Sequence, residues 1–286
     1  MDFTQIIDFK LGASIRGFFI CKEKHIKLTK NGDLYLDILL IDATGSIHCK
    51  MWELVSDFQH RFSVGSAVAV KGIVGEFNDA LQLIITQINT ASKLQYSKYG
   101  FNEKSLIKYV KEPIDSLWSR IEKNSKSLKK PLYDLVSSIF KKHKNKIQTI
   151  PYSPHDQFPL KGGFLKSIAI NLEICSDLCQ YYPLLDKEIA AAGTILFRIG
   201  MVEAFNNDLL PKFNEQGVLI GPSVLGRDLF LSESKKIKIN TDTIRKIEHI
   251  ILCSEPSVAD LSDIPEALFV RGIYNFNDTM LSINDL

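Results

Sequence analysis

Short alternating stretches of apolar residues, separated by turn signals, fill the chain from Ala13 to Ile88. Runs of this length, rich in β-branched and aromatic side chains and bounded by turn residues, are typical of β-strands. Asn31-Gly32-Asp33 is typical of a hairpin turn between the first two runs. The spacing therefore predicts five strands, at 14–21, 34–41, 46–52, 67–75 and 81–88, with a short helix at 53–60.

Five strands with a helix between the third and the fourth are the order of an OB-fold, a small barrel that binds oligonucleotides across strands two and three. The third predicted strand alternates clearly, as a strand with two different faces should. Bases stack on aromatic rings and lysines meet phosphates, so a face carrying both suits single-stranded nucleic acid. One face of this strand carries Ile47, Cys49 and Met51, and the other carries His48, Lys50 and Trp52.

A basic run follows the first predicted strand, and we place it in the loop that joins strands one and two. Trp52 has a second interpretation, because a large aromatic side chain at a strand end can fill the bottom of a barrel. OB-folds also bind proteins, so the fold alone does not fix the ligand. The candidate nucleic-acid-binding residues are Lys22, Lys24, Lys27 and Lys30 of the basic run, with Tyr35, His48, Lys50, Trp52 and Phe77.

The net charge of +2 hides an uneven distribution of charge along the chain. Residues 1–150 carry 23 basic and 15 acidic side chains, a net charge of +8, whereas residues 151–286 carry 12 and 18, a net charge of −6. Within the first half, residues 93–146 carry 14 basic and 5 acidic side chains. A basic segment favours a polyanionic partner, although lysine-rich helices are often only solvated faces.

The strand pattern ends near residue 92, and helical spacing of apolar residues follows from residue 114 onward. We therefore predict an OB-fold domain at 1–92, a basic linker at 93–112 and an all-α domain at 113–286. The segments with helical spacing are 114–121, 132–140, 164–178, 189–202, 223–231, 241–252 and 269–281.

The five cysteines form no CxxC pair and no cluster with zinc spacing, so they are best explained as buried thiols in a reducing compartment. The apolar run 34–41 is far shorter than the ~20 residues of a membrane span, and the N-terminus lacks the basic region of a signal peptide. The sequence thus predicts a cytoplasmic protein without a membrane partner, and nothing in it predicts a cofactor or a metal.

Several separated segments give the chain a likeness to a known family. They are Lys30-Asn31-Gly32, the run from Asp42 to Trp52, Gly162-Gly163-Phe164-Leu165, the run from Tyr181 to Glu188, Ala192-Gly193-Thr194-Ile195-Leu196, and Gly217-Val218-Leu219-Ile220-Gly221. In this order and spacing they resemble the YhaM-type 3′-to-5′ exoribonucleases, which join an N-terminal OB-fold to a C-terminal HD domain. The resemblance covers nearly the whole chain.

The resemblance also implies where metal ligands would stand, because HD enzymes hold divalent metals with His and Asp side chains that activate a water. A guanidinium beside an apolar ring cannot hold a divalent cation, so the resemblance implies a degenerate HD domain without activity. Phe197 would fill the vacated cavity, and Arg198 would neutralise acidic groups or bind a phosphate. The replaced positions are Ser167, Phe197, Arg198, Pro222, Ser254, Glu255 and Asn275.

Three functions follow from these observations. The first is a non-catalytic protein that binds single-stranded RNA or DNA, with the helical domain as a pseudo-enzyme that serves as a scaffold. The second is a structural subunit whose acidic C-terminal domain docks another protein, with an oligomer also possible. The third, and weakest, is a metal-dependent exonuclease with unconventional ligands: His155, His249, Glu255 and Asp278.

Overall fold

The structure, a computed structural model, describes residues 4–152, 160–206, 208–255 and 264–284. The chain divides into two units, of which the first also includes Asp208–Leu210, and the main division falls between Lys108 and Tyr109. This point lies inside the segment 93–112 that the sequence assigns to a linker. The first unit also contains a short helix, α2 (Lys93–Tyr96), within that segment.

The first unit contains five strands and a short helix between the third and the fourth, which confirms the predicted OB-fold. The strands close a barrel in the order β1-β2-β3-β5-β4, in which β3 and β5 are parallel and the other pairs are antiparallel. Their bounds are β1 (Ser14–Leu28), β2 (Leu34–Ile41), β3 (Ser46–Met51), β4 (Ala67–Phe77) and β5 (Ala80–Thr90), with α1 at Val55–Phe58.

The predicted end of β1 at Cys21 is wrong, because the strand continues to Leu28. A bulge interrupts the ladder between Cys21 and Glu23, and pairing with β2 then resumes up to Leu28 opposite Leu34. The basic residues 22–28 therefore lie in a strand rather than in a loop, and only Lys30 lies in the turn. The β1–β2 turn fixes the pairing register of the hairpin. Residues 22–28 therefore form a strand, although their sequence is too polar to predict one.

One face of each strand fills the barrel. Phe19, Leu36, Cys49, Val68 and Leu83 are fully buried, one from each strand in the order β1 to β5. A buried apolar side chain of this size contributes about 1.5–3 kcal/mol relative to an exposed one. Because strand side chains alternate between faces, the opposite face of each strand lies on the outside of the barrel.

The second unit is largely helical, as predicted. Its longer helices bury apolar side chains in one core that includes Leu135, Ile168, Ile195, Phe230 and Ile250. The helices are α3 (Ile114–Ser125), α4 (Lys130–Lys142), α5 (Lys144–Thr149), α6 (Gly163–Leu178), α7 (Lys187–Leu196), α8 (Met201–Ala204), α9 (Glu215–Leu219), α10 (Pro222–Ser234), α11 (Thr241–Leu252) and α12 (Pro265–Asn284).

The segment 189–202, expected to continue as a helix, breaks into α7 and α8. The break lies at residues 197–200, where the chain turns. Gly200 sits against the first turn of α10: a Cβ there would lie 1.8 Å from the carbonyl oxygen of Pro222 and 2.5 Å from the amide nitrogen of Gly226. The glycine therefore lets α8 and α10 approach closely.

All five cysteines are free and buried. Burial raises the pKa of the Cys21 thiol to about 11 and that of the Cys175 thiol to about 12. Among the residues that the structure describes, no helix is long and apolar enough to cross a membrane.

A buried carboxylate joins α4 to α10, and its removal is expected to destabilise the helical unit in a pH-dependent way. The Glu233 side chain is 3% exposed and accepts hydrogen bonds from Lys142 at 2.8 Å and Lys236 at 2.9 Å. These bonds lower the pKa of Glu233 to about 2. A lowered pKa means that the stabilisation is complete above the unfolded-state pKa and is lost as the pH falls toward 2.

We expect Glu233→Gln to lower the free energy of unfolding by about 2 kcal/mol at pH 7, because two charge-assisted bonds to a buried group are lost. Urea unfolding followed by circular dichroism should show this difference shrinking below pH 4. Asp228→Asn is the matched control, since that side chain lies on the same helix and is 61% exposed. An equal loss of stability at pH 7 and pH 3 would contradict the assignment.

Candidate nucleic-acid interface

The outer face of β1, β2 and β3 is a single register-matched surface. Asp37 lies at its centre, opposite His25 of β1 and opposite Lys50 of β3. Residues paired in this way point to the same side of the sheet. The face carries Glu23, His25 and Lys27 from β1, Tyr35, Asp37 and Leu39 from β2, and His48 and Lys50 from β3.

Trp52 extends this face just beyond the end of β3. Its ring stacks on Tyr35 with centroids 4.8 Å apart and planes 29° apart, and the residue is 47% exposed. The interpretation of Trp52 as a core residue that fills the barrel is therefore wrong. The Lys50 Nζ lies 4.9 Å from the centroid of the Tyr35 ring, so a cation borders the aromatic stack.

Asp37 holds the two lysines of this face in place. It accepts from the Lys27 ammonium at 2.5 Å and lies 2.8 Å from that of Lys50. Partial burial opposes ionisation, yet the hydrogen bonds from the two lysines keep the pKa of Asp37 below its ordinary value. The hydrogen bond to Asp37 in turn raises the pKa of Lys27. The resulting cluster is positively charged and lies beside the stacked rings.

Lys24, predicted to bind nucleic acid, lies apart from this cluster. It is paired in register with the buried Ile38, so it points to the other side of β1. Its ammonium donates to the carbonyl oxygens of Gln59 at 2.9 Å and Phe62 at 2.7 Å, and lies 4.6 Å from the centroid of the Phe62 ring. Lys24 thus satisfies the carbonyls that follow α1.

The other predicted residues lie at different places around the barrel. Lys22 lies at the bulge of β1, Lys30 in the turn after that strand, and Phe77 is exposed at the end of β4. Of the predicted set, the structure brings together Lys27, Tyr35, His48, Lys50 and Trp52 on one face.

An open groove of about 730 Å³ adjoins this face. It lies between the β1–β2 turn and the start of α1, and Trp52 forms part of its wall. Trp52 thus lies at the edge of a shallow, open groove. Its lining residues are Thr29, Gly32, Asp33, Leu34, Trp52, Leu54, Val55, Ser56 and Asp57.

Six residues of this surface are absent from the predicted set: Glu23, His25, Asp37, Leu39, Ile73 and Ile84. Asp37 was recoverable from the alternation of β2, where it shares a face with Tyr35. Ile84 and Ile73 were not, because the pairings Lys50↔Ile84 and Ile73↔Ile84 join strands distant in sequence. Both isoleucines are exposed and extend the face across β5 and β4.

Part of the basic charge of segment 93–146 is neutralised by ion pairs in the helical unit, which engage Arg120, Lys129, Lys142 and Lys146. Glutamates from the acidic half of the chain supply most of the partners, so the charge asymmetry of the sequence is reduced by folding. A polyanion would therefore meet less free charge here than the sequence suggests. The ion pairs include Arg120 with Glu173 at 2.5 Å and with Glu112 at 3.0 Å, Lys129 with Glu188 at 3.0 Å, Lys142 with Glu233 at 2.8 Å, and Lys146 with Glu203 at 3.6 Å.

Two of the positions implied by the HD resemblance lie against α12. The ring of Phe197 is buried with its centroid 4.6 Å from that of Tyr274. Arg198 donates to the Tyr152 hydroxyl at 2.9 Å and to Asp278 at 2.8 Å. Its guanidinium lies 5.3 Å from the Tyr152 ring centroid and 5.2 Å from that of Tyr274. Burial lowers the pKa of Arg198 and raises that of Tyr274 to about 12.

The remaining implied positions are elsewhere. Ser167 is buried on α6 and donates to the Phe164 carbonyl at 2.8 Å, Pro222 opens α10, and Ser254 and Glu255 follow α11. Asn275 is exposed on α12, so its expected place beside Phe197 and Arg198 is wrong. Tyr274 and Asp278, four residues apart on one helical face, occupy that place instead.

Over the described parts of the chain, three or more His, Cys, Asp or Glu side chains nowhere converge to form a metal-binding group. His155 lies outside the described residues. Beside Phe197 the structure places a guanidinium already paired with the Asp278 carboxylate, and a phenyl ring with one such ion pair does not fit a divalent cation.

Comparison with known proteins supports the fold of the first unit. The tRNA anti-codon family model, described as an OB-fold nucleic acid binding domain, matches residues 22–91. The match runs from within β1 through β5 and does not extend into the helical unit.

Several solved structures are similar to this chain over about a third of its length. The second OB-fold domain of replication protein A from Methanococcus maripaludis is 21% identical over 32% of this chain and 97% of that chain, with a TM-score of 0.28. The mitochondrial single-stranded DNA binding protein Rim1 from S. cerevisiae is 18% identical over 32% and 97%, with a TM-score of 0.24. A replication protein A heterotrimer bound to single-stranded DNA is 16% identical over 32% and 66%, with a TM-score of 0.26.

Proposed function

We propose that this protein binds single-stranded nucleic acid on the outer face of β1, β2 and β3. The observation that carries the proposal is the exposed Tyr35–Trp52 stack bordered by the Lys50 and Lys27 ammonium groups. Stacked rings offer a platform for bases, and lysines beside them meet the phosphates that link those bases. The nucleic-acid-binding description of the matching family model supports the same function.

The proposal is tested by fluorescence anisotropy of the intact chain with a labelled single strand of about 16 nucleotides, the upper range of OB-fold site sizes. Affinity should fall steeply as salt rises, because binding releases counterions from the phosphates. RNA and DNA strands of the same sequence, tested side by side, identify the preferred backbone. Absence of binding at low salt, or binding that is insensitive to salt, would overturn the proposal.

Removal of the central carboxylate is expected to strengthen binding. In Asp37→Asn the Lys27 and Lys50 ammonium groups lose the anion that now engages both of them. We expect affinity to rise about fivefold, the equivalent of one surface ion pair of ~1 kcal/mol. The slope of affinity against salt should steepen by about one phosphate contact.

The control for that variant is Asp134→Asn, which removes the same charge from an exposed position on α4. Its binding should match that of the unmodified chain. Equal gains in the two variants would show that net charge, rather than the position of Asp37, governs affinity.

We further propose that the helical unit is a degenerate HD domain that does not hydrolyse phosphodiesters. The ion pair of Arg198 with Asp278 and the burial of Phe197 support this, because they fill a location where the resemblance calls for metal ligands. A labelled RNA incubated with the intact chain and Mn²⁺ should stay full-length on a denaturing gel. Shortening from the 3′ end that survives Arg198→Ala and is lost in His249→Ala would favour an enzyme instead.

A role in protein assembly remains the second candidate function. The observation that favours it is the exposed apolar stripe on α12 formed by Leu268, Phe276 and Met280.

A further inference from the structure

Between Pro265 and Met280, none of the exposed residues of α12 is charged, and Arg271 at the edge of this face is half-buried. A helix on the surface of a folded unit ordinarily presents charged and polar side chains to water. The large apolar members of this face recur every four residues around a glycine, which places them in one stripe. The exposed residues in this range are Pro265, Leu268, Gly272, Asn275, Phe276, Thr279 and Met280, and Phe276 is 61% exposed.

Among the residues that the structure describes, nothing lies close enough to Gly272, at the middle of this stripe, to require a glycine there. A Cβ added there would meet nothing within 4 Å. In the other described helices, glycines are in close contact: a Cβ at Gly193 would lie 2.8 Å from Ile250, and one at Gly226 would lie 2.9 Å from Gly200. Glycine disfavours a helix relative to alanine, so its presence on an open face indicates close approach by something outside the chain.

The apolar surface continues beside α12. The ring of Tyr182 contacts that of Phe269 on α12, with centroids 5.8 Å apart, and Tyr181 and Leu184 are among the most exposed apolar residues of the unit. With the α12 stripe, these side chains expose on the order of 700 Å², close to the ~800 Å² per partner of a stable protein interface.

We propose that two copies of this chain pair through α12 across a twofold axis at Gly272. Leu268 and Phe276 lie four residues before and after the glycine, so in an antiparallel pair each Leu268 faces Phe276 of the partner subunit. A twofold interface requires a surface that is complementary to itself, whereas an interface with a different protein does not. Rows of residues four apart pack into each other in the most common class of helix crossing, and a glycine at the crossing lets the backbones approach. The proposal is independent of nucleic-acid binding.

The first test is the mass of the intact chain in solution, measured by light scattering over a concentration series. We expect twice the mass of one chain at micromolar concentrations, and a dissociation constant raised at least 30-fold in Phe276→Glu, as for a central interface residue. Leu219→Glu is the control, because Leu219 is also strongly exposed in this unit but lies outside the α12 surface. Its dissociation constant should not change.

Gly272→Ala should change the stability of the monomer and the strength of pairing in opposite directions. It should raise the melting temperature of the monomer, since alanine favours the helix and has room, and it should weaken pairing. Gly272→Cys should form an intermolecular disulfide on mild oxidation, because a residue on the axis lies next to its own copy. The five native cysteines are buried and do not compete.

Two results would overturn the proposal. One is a monomeric mass up to about 100 µM without disulfide formation in Gly272→Cys, which is also the result if another protein covers α12. The other is a dimer whose dissociation constant is unchanged in both Phe276→Glu and Gly272→Ala.

Discussion

Replacing Trp52 with alanine is expected to weaken binding of single-stranded nucleic acid by about 5- to 150-fold, the equivalent of the ~1–3 kcal/mol per base that aromatic stacking contributes. The side chain is about half exposed and packs mainly on Tyr35, so the barrel core stays intact. A change in affinity without a change in melting temperature therefore reports the loss of a contact with the ligand.

Tryptophan fluorescence gives an independent measurement. The chain has two tryptophans, and Trp118 is buried with its ring nitrogen donating to Glu122 at 2.8 Å. Quenching on addition of an oligonucleotide should come from Trp52 and disappear in Trp52→Ala. Tyr181→Ala removes an exposed aromatic ring from the helical unit and serves as the control. Unchanged affinity in Trp52→Ala would remove the main support for the proposed interface.

Replacing Gly200 with alanine is expected to destabilise the helical unit by about 3–4 kcal/mol, at the upper end of the cost of overpacking. The added Cβ would lie 1.8 Å from the carbonyl oxygen of Pro222. A backbone atom cannot rotate aside as a side chain can, so α8 and α10 must separate. For a unit of this size the melting temperature should fall by roughly 10 °C.

Gly272→Ala is the matched comparison for this prediction. Both glycines belong to the helical region, but a Cβ at Gly272 meets nothing within 4 Å. Measured at a dilution where the chain is monomeric, one variant should melt lower and the other higher. A similar melting temperature for the two variants would show that the approach of α8 to α10 is looser than the structure indicates.

The barrel was predictable because its signals are local. Turn residues and alternation along each strand located β2 at its observed bounds, and the exposed face of β3 followed from the same alternation. The far half of β1 was not predictable, because Lys22, Lys24 and Lys27 resemble a loop when taken alone. Pairing with β2 makes this segment a strand, and pairing partners are not visible in the composition of one strand.

The candidate site was predictable to the same extent. Lys27, Tyr35, Lys50 and Trp52 were identified by residue type, but the separate position of Lys24 depends on which face of β1 it occupies after the bulge. On α12, the resemblance selected Asn275, whereas the helix turns Asp278 toward Arg198. A shift of one residue in a helix rotates a side chain by about 100°, so small alignment errors change which residues meet.

Closure of the barrel through β1 and β4 also sets an order of events during synthesis. Ser14 pairs with Ile73, so the start of β1 waits for 59 further residues before it has its partner. At about 5–20 residues per second, this wait is roughly 3–12 s on the ribosome. Until β4 is made, residues 14–19 of β1 have no partner strand, because β2 pairs only with residues 20–28, so we expect chaperone contact to matter most before that point.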